Sequence, residues 1–287
     1  MSKLISYYNN GSIALSSAVH LPYTTLILAF LYTNENDPLS LQIGGGMAVS
    51  TAPPKLTQHT IDAIATLKEN DQKVLISFGG GQMTSNAYNG IVGSEVILAQ
   101  SIAAFVKEYN LDGVDLDFED TLAFMGKATY NGVHLLVNLT KALRQELPSP
   151  QYVITHAPQP PYLQVGSGMD GYVSIMEEVG DQIDWLNVQF YNNPPWSANP
   201  PEIISAYNTF SQLKGMSPEK LMVGLPVTSH DAGSGYMPVD EIVTEIIKPI
   251  QQSGVLGGMM NWQFSSDTNG DWATTIGDAL AQKDAIR

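Results

Sequence analysis

Residues 111–120 read LDGVDLDFED and put five carboxylates, Asp112, Asp115, Asp117, Glu119 and Asp120, into ten positions. Interleaved with them are Leu111, Val114, Leu116 and Phe118. Side chains on a strand alternate between its faces, so Asp115, Asp117 and Glu119 share one face and Val114, Leu116 and Phe118 the other. Carboxyl groups two positions apart on a strand lie about 6–7 Å apart. At an effective dielectric near 20, two charges at that distance repel by roughly 2–3 kcal/mol, equivalent to about two pKa units. At least one of the three is therefore expected to hold a proton at neutral pH, which a general acid requires.

Two other uses of such a strand fit less well. A solvated edge strand has no need of three acids backed by a wholly apolar face. A Mg²⁺ or Ca²⁺ site would use carboxylates, but no second acidic cluster supplies further ligands. His20, His59, His134, His156 and His230 form no HxH or HExxH pair. No metal and no cofactor is expected.

The elements that must position these acids are short apolar strands alternating with helical patterns. Strands are expected at 4–8, 24–31, 73–79, 112–119, 152–158, 184–191, 220–226 and 255–264. Helices are expected at 57–70, 94–109, 130–147, 200–213, 239–252 and near 272–285, with Val96, Ala99, Ala103 and Val106 near helical spacing in the second. Strands separated by helices imply right-handed crossovers and a parallel sheet, and eight of them a closed (β/α)8 TIM barrel. The length of 287 residues suits one such domain over residues 1–287, at roughly 250 residues with insertions. In that fold the carboxylate face points into the lumen, with Glu119 at the C-terminal mouth, where active sites sit. PQPP (158–161) and NNPPW (192–196) each follow a strand and fall at the same mouth.

Composition bounds the ligand. The formal net charge is −15, and only 14% of residues are charged. Nucleic acid and anionic membrane surfaces are poor partners for such a chain; a neutral or cationic ligand fits. The absence of cysteine excludes disulfides, Cys-ligated zinc and thiol catalysis. No apolar run approaches the 18 residues of a membrane span. Met1-Ser2-Lys3 runs directly into a strand pattern, without the longer apolar stretch of a secretory signal.

Other signals are weak. GSGMDG (166–171) fits G-x-G-x-x-G, but PPYLQV before it is a poor strand. Gly79, Gly80 and Gly81 follow a strand without the Lys of a phosphate loop, and close packing accounts for them. Asn10-Gly11-Ser12 and Asn138-Leu139-Thr140 are glycosylation sequons only in a secretory pathway, and Asn138 falls in a predicted helix.

Asp112, Asp115, Asp117 and Glu119 form the D-x-x-D-x-D-x-E pattern of family 18 glycoside hydrolases, and SFGG (77–80) resembles the S-x-G-G of that family's third strand. APQ (157–159), VQFYNNPP (188–195), GLP (224–226), AGSGYMP (232–238) and GGMMNWQF (257–264) look closer still to plant and fungal class III chitinases of the hevamine type. The resemblance implies chitin or a chitooligosaccharide as substrate and substrate-assisted retaining catalysis, an exception to the two-carboxylate scheme. It makes Glu119 the acid and Asp117 the group that orients the acetamido N–H. Asp115 shares a proton with Asp117, and Tyr191 is a hydrogen-bonding partner of the acetamido group. The implied substrate-binding set is Tyr7, Phe30, Ser77, Gln189, Asn192 and Trp262. Trp262 is the floor under the reacting sugar, and Tyr7 and Ser77 act by supporting Asp115. It also implies non-proline cis peptides at Ala29–Phe30 and Trp262–Gln263. A monomer acting outside the cell is expected, with cytoplasmic retention or non-classical export left open. An endo-β-N-acetylglucosaminidase on N-glycan cores, or an inactive chitin-binding lectin or inhibitor, are the alternatives on this barrel.

Overall fold

The computed structural model describes residues 2–9 and 12–284. Its strands are β1 (Lys3–Tyr8), β2 (Thr25–Asn34), β3 (Asp37–Ile43), β4 (Ala48–Ser50), β5 (Lys55–Leu56), β6 (Lys73–Gly79), β7 (Gly113–Asp117), β8 (Val153–His156), β9 (Trp185–Gln189), β10 (Leu221–Pro226) and β11 (Gly258–Trp262). Eight of them run parallel in the order β1-β2-β6-β7-β8-β9-β10-β11, and β1 pairs with both β2 and β11. The sheet is therefore a closed barrel, and every expected strand falls on one of the eight.

Apolar residues fill both sides of the barrel wall. Inside, Ile5, Ile27, Ala29, Leu75, Val153, Trp185, Met222 and Met260 belong to one buried cluster. Outside, Leu4, Leu28, Ile76, Leu116 and Val188 pack against the helices. This in–out alternation is the period of two that marked the strands. The helices Gln58–Glu69, Glu95–Glu108, Gly132–Glu146, Pro200–Phe210 and Asp271–Asp284 match their expected positions to within a few residues. Thr57 and Asn131 cap the first and third, each side chain accepting a backbone N–H at 3.0 Å.

Several elements depart from expectation. Between β2 and the helix Gln58–Glu69 the chain inserts β3, antiparallel to β2, and a small β4–β5 hairpin. The turn between β2 and β3, Asn34-Glu35-Asn36-Asp37, is too polar and short to read as a strand boundary by periodicity. The helices Ser85–Ile91 and Gly171–Val179 are too short to show several turns of apolar spacing. Val96 is 56% exposed, and the buried face of its helix is Leu98, Ala99, Ile102, Ala103, Phe105 and Val106. The predicted helix 239–252 is interrupted by a π turn at Val243–Ile247; Pro249, which has no N–H, follows it. Both expected non-proline cis peptides, Ala29–Phe30 and Trp262–Gln263, are present.

Asn138 lies exposed on the helix Gly132–Glu146. Asn10 and Gly11 of the other sequon lie outside the described residues. Among the described residues no single helix is long and apolar enough to cross a membrane.

Candidate active site

The parallel register builds the site in layers. Ser77 of β6 stands beside Asp115 of β7, which stands beside Thr155 of β8; one layer up, Gly79 stands beside Asp117. Asp115 is wholly buried. Its Oδ2 accepts from Tyr7 OH at 2.8 Å and Ser77 Oγ at 2.7 Å. Its Oδ1 accepts from Thr155 Oγ1 at 2.6 Å and Asn187 Nδ2 at 3.3 Å. Burial raises its pKa, and these four donors oppose the rise by favouring the anion. Asp117 is 4% exposed and accepts from Gln189 Nε2 at 2.8 Å. Burial pushes its carboxyl well above the usual carboxylate range, and repulsion from Glu119 and Asp115 pushes it further. Glu119 is half-buried just beyond the strand's end. Burial raises its pKa too, against hydrogen bonds with Asp117 and Gln189. The carboxyls of Asp117 and Glu119 act on each other's titration, while the oxygens of Asp115 accept from neutral donors. Neighbouring carboxyls whose pKa values are both raised, both bordering the cleft, are suited to proton transfer.

The other two acids of the run face away. Asp112 accepts from Val74 N–H at 2.8 Å and pairs with Lys68 at 3.1 Å at the opposite end of the strand. Asp120 caps the helix Thr121–Phe124 through Leu122 N–H and accepts from Ser85 and Tyr130. Both are structural.

Above the acids opens a cleft of about 650 Å³ lined by Phe30, Asp117, Glu119, Gln189, Tyr191, Asn192 and Trp262, among others. Phe30 and Trp262 stack at 5.8 Å with 23° between ring planes, and Tyr7 lies 5.9 Å from Trp262. Such a ring surface suits the apolar face of a sugar, and the carboxyls beside it suit its polar edge. Among the described residues, no Lys, Arg or His lines the cleft. Adjacent carboxyls with raised pKa values and a stack of aromatic rings, lining one cleft with no cation among the described residues, point to glycoside chemistry.

The sequence profile of glycosyl hydrolases family 18 matches residues 3–236. The chain belongs to glycosyl hydrolase family 18. An acidic endochitinase of Phaseolus angularis is 30% identical over 279 residues, covering 88% of this chain and 81% of that protein. The crystal structure of a family 18 chitinase from Pseudoalteromonas aurantia superposes with a TM-score of 0.94 at 55% identity, covering 98% of this chain and 100% of that one. A xylanase and α-amylase inhibitor protein from Scadoxus multiflorus shares the fold, with a TM-score of 0.67 at 21% identity and 98% of both chains covered.

In this family 18 barrel all ten sequence-predicted site residues converge on one mouth, at two depths. Phe30, Asp117, Glu119, Gln189, Tyr191, Asn192 and Trp262 border the cleft; Tyr7, Ser77 and Asp115 lie beneath it. Tyr7 and Ser77 therefore stand apart from a substrate-contacting set, and each spends its hydroxyl on Asp115. Asn192 Oδ1 accepts from Ser234 N–H at 3.0 Å, so that oxygen pins a neighbouring loop. Thr155 and Asn187, donors to Asp115, escaped the sequence reading. The available signal was a polar residue at a lumen position of an apolar strand.

The glycines after β6 bring the backbone against the acids. A Cβ at Gly81 would stand 2.9 Å from Glu119 Oε2. At Gly79, φ is +119° and a Cβ would fall 2.1 Å from the Asp117 carbonyl oxygen. Gly79→Ala is therefore expected to destabilise the protein by at least about 1–3 kcal/mol, the usual cost of backbone strain, and to depress activity by displacing Asp117. Urea unfolding midpoints measure the first effect; an unchanged midpoint would contradict the close approach.

Proposed function

We propose that the chain is an endo-acting chitinase that hydrolyses β-1,4 linkages between N-acetylglucosamine units with retention. The observation that carries this reading is the Asp115–Asp117–Glu119 ladder together with the Phe30–Trp262 stack at one cleft. It supplies one mobile proton and a buried negative charge, and no second carboxylate is needed as nucleophile. Endochitinase relatives and a chitinase neighbour at 55% identity support chitin as substrate.

In this mechanism a sugar lies over Trp262 with its acetamido group toward Asp117 and Tyr191. Glu119 gives its proton to the glycosidic oxygen, and the C1–O bond breaks. The substrate's acetamido oxygen forms the new bond to C1, giving an oxazolinium ion. Asp117 accepts the acetamido N–H and its charge balances the ring. Water then attacks C1, the Glu119 carboxylate takes the water's proton, and C1 regains its original configuration. Asp115, held by four donors, keeps a fixed charge below. The whole chain acts as one catalytic domain. A monomer suffices, because every group used comes from one chain. An extracellular site of action suits a polymeric substrate.

NMR of freshly cleaved chitotetraose tests the reading. β-Anomeric product is expected. α-Anomeric product would replace the substrate's acetamido group with an activated water. Binding without cleavage would leave a lectin, and cleavage confined to N-glycan cores an endo-β-N-acetylglucosaminidase; nothing in the site favours either.

A further inference from the structure

Below the acids the barrel lumen holds a polar chain that the mechanism above does not use. Trp185, at the foot of β9, is 4% exposed and belongs to the lumen cluster with Ile5, Val153 and Met222. Its Nε1–H donates at 3.0 Å to Oδ1 of Asn187, two residues on and on the same face of the strand. Asn187 is wholly buried. Its Nδ2 donates to Asp115 Oδ1 at 3.3 Å and to Tyr7 OH at 3.4 Å. Tyr7 OH in turn donates to Asp115 Oδ2 at 2.8 Å. Every bond of this chain points its hydrogen toward Asp115.

The four donors to Asp115 are not equivalent. The hydroxyls of Tyr7, Ser77 and Thr155 can donate or accept, so each could turn to accept from a protonated carboxyl. The amide of Asn187 could do so only by exchanging its oxygen and its nitrogen. An indole N–H donates and never accepts. The exchange would set Trp185 Nε1–H against the amide N–H and leave a buried donor unpaired, which is destabilising. Lys3 Nζ lies 5.1 Å over the Trp185 ring, a cation–π contact that holds the ring in its plane.

Other groups act on Asp115 as well. Asp117 on its own strand, Tyr7 from β1, Tyr191 beyond the end of β9 and Tyr172 of the helix Gly171–Val179 are within its electrostatic reach. From β6 and β8 come the hydroxyls of Ser77 and Thr155. From β2, β10 and β11 come the apolar side chains of Ile27, Met222 and Met260. Of the hydrogen-bonding groups, the Trp185–Asn187 pair alone is fixed in its direction by the chemistry of its donor.

We infer that Trp185 is a positioning residue for the acid ladder: through Asn187 it fixes Asp115 as an acceptor, so that the proton of the ladder resides on Asp117 or Glu119. Its consequence for turnover rests on the chitinase reading, in which the charge kept on Asp115 lies below the oxazolinium ion.

The test follows the aspartate carboxyl carbons by ¹³C NMR through a pH titration of wild type, Trp185→Phe, Asn187→Leu and the double variant, with Asp115→Asn to assign the Asp115 signal. Trp185→Phe keeps a ring under Lys3 and removes the N–H. Asn187→Leu keeps the volume and removes the amide. Each is expected to raise the pKa of Asp115 by roughly half to one unit, the low end for a hydrogen bond to a charged group because 3.3 Å is long. Trp185 acts through Asn187, so the double variant is expected to shift no further than Asn187→Leu alone. On chitotetraose KM is expected to hold, because neither residue lines the cleft, while the loss of kcat grows as pH falls. An unchanged Asp115 titration in Trp185→Phe overturns the inference, and so do shifts that add in the double variant. A wild-type signal covers a Trp185→Phe variant that does not fold: the Trp185 indole resonance is expected to move with the titration of Asp115, and an indole blind to it overturns the inference too. If wild type leaves chitotetraose intact, the chitinase reading fails, and the titrations still decide the role of Trp185.

Discussion

Glu119→Gln is expected to reduce kcat on chitotetraose by about 10²–10⁴, the range of a positioned general acid, while the protein folds and still binds the oligomer. Both carboxyls of the pair border the cleft, and Glu119 is the more exposed of them, beyond the end of β7. The amide keeps the size of the side chain and much of its hydrogen bonding, and it cannot deliver a proton to the glycosidic oxygen. Calorimetric titration separates the two roles: binding within a few-fold of wild type with turnover lost is the expected pair of results. A variant that retains more than a tenth of wild-type turnover would move the acid elsewhere.

Asp117→Asn is expected to do two opposite things. Activity falls by about 10²–10³, the cost of removing one electrostatic stabiliser of the developing charge. Stability rises at neutral pH. An aspartate ionises at an ordinary value of 3.8, and in the fold burial and the neighbouring acids hold Asp117 well above that. The folded state therefore binds the proton more tightly than the unfolded chain does. The contribution of Asp117 to stability is greatest below pH 3.8 and is lost as pH rises through the raised folded value, at about 1.4 kcal/mol for each unit of difference. Asn abolishes this loss, and its own oxygen can still accept from Gln189. Asp115 and Glu119 are shifted the same way, so part of the slope persists in the variant. Denaturant midpoints at pH 4 and pH 7 measure it: the advantage of Asp117→Asn should grow between them. A variant less stable than wild type at pH 7 would mean that the ionised Asp117 is held favourably, against the direction of its shift.

The same tension explains the architecture around these groups. A chain that places three carboxylates on one buried face carries a destabilising charge. Tyr7, Ser77, Thr155 and Asn187 offset it at the lowest level by donating to Asp115. Above, burial and repulsion raise the pKa of Asp117, and burial raises that of Glu119, which favours the protonated forms. The cost in stability and the capacity for acid catalysis have one origin.

What the amino-acid sequence determined by itself was what depends on local periodicity. The alternation of LDGVDLDFED sets three acids on one face wherever the strand lies, and eight such apolar segments between helical patterns admit few arrangements besides a closed parallel barrel. The aromatic residues at strand ends were legible for the same reason, since a strand's C-terminal end in a barrel is a known place. Tertiary structure alone decided what depends on register between strands. Thr155 and Asn187 became donors to Asp115 because β8 and β9 pair in one alignment out of several. The acids were separable into chemical and structural only once Asp112 met Lys68 and Asp120 met Tyr130. The β2–β3 arm lay in a polar stretch whose pairing has no periodic signature. Periodicity reports which side of its own strand a residue faces; it carries no information on what a neighbouring strand places opposite.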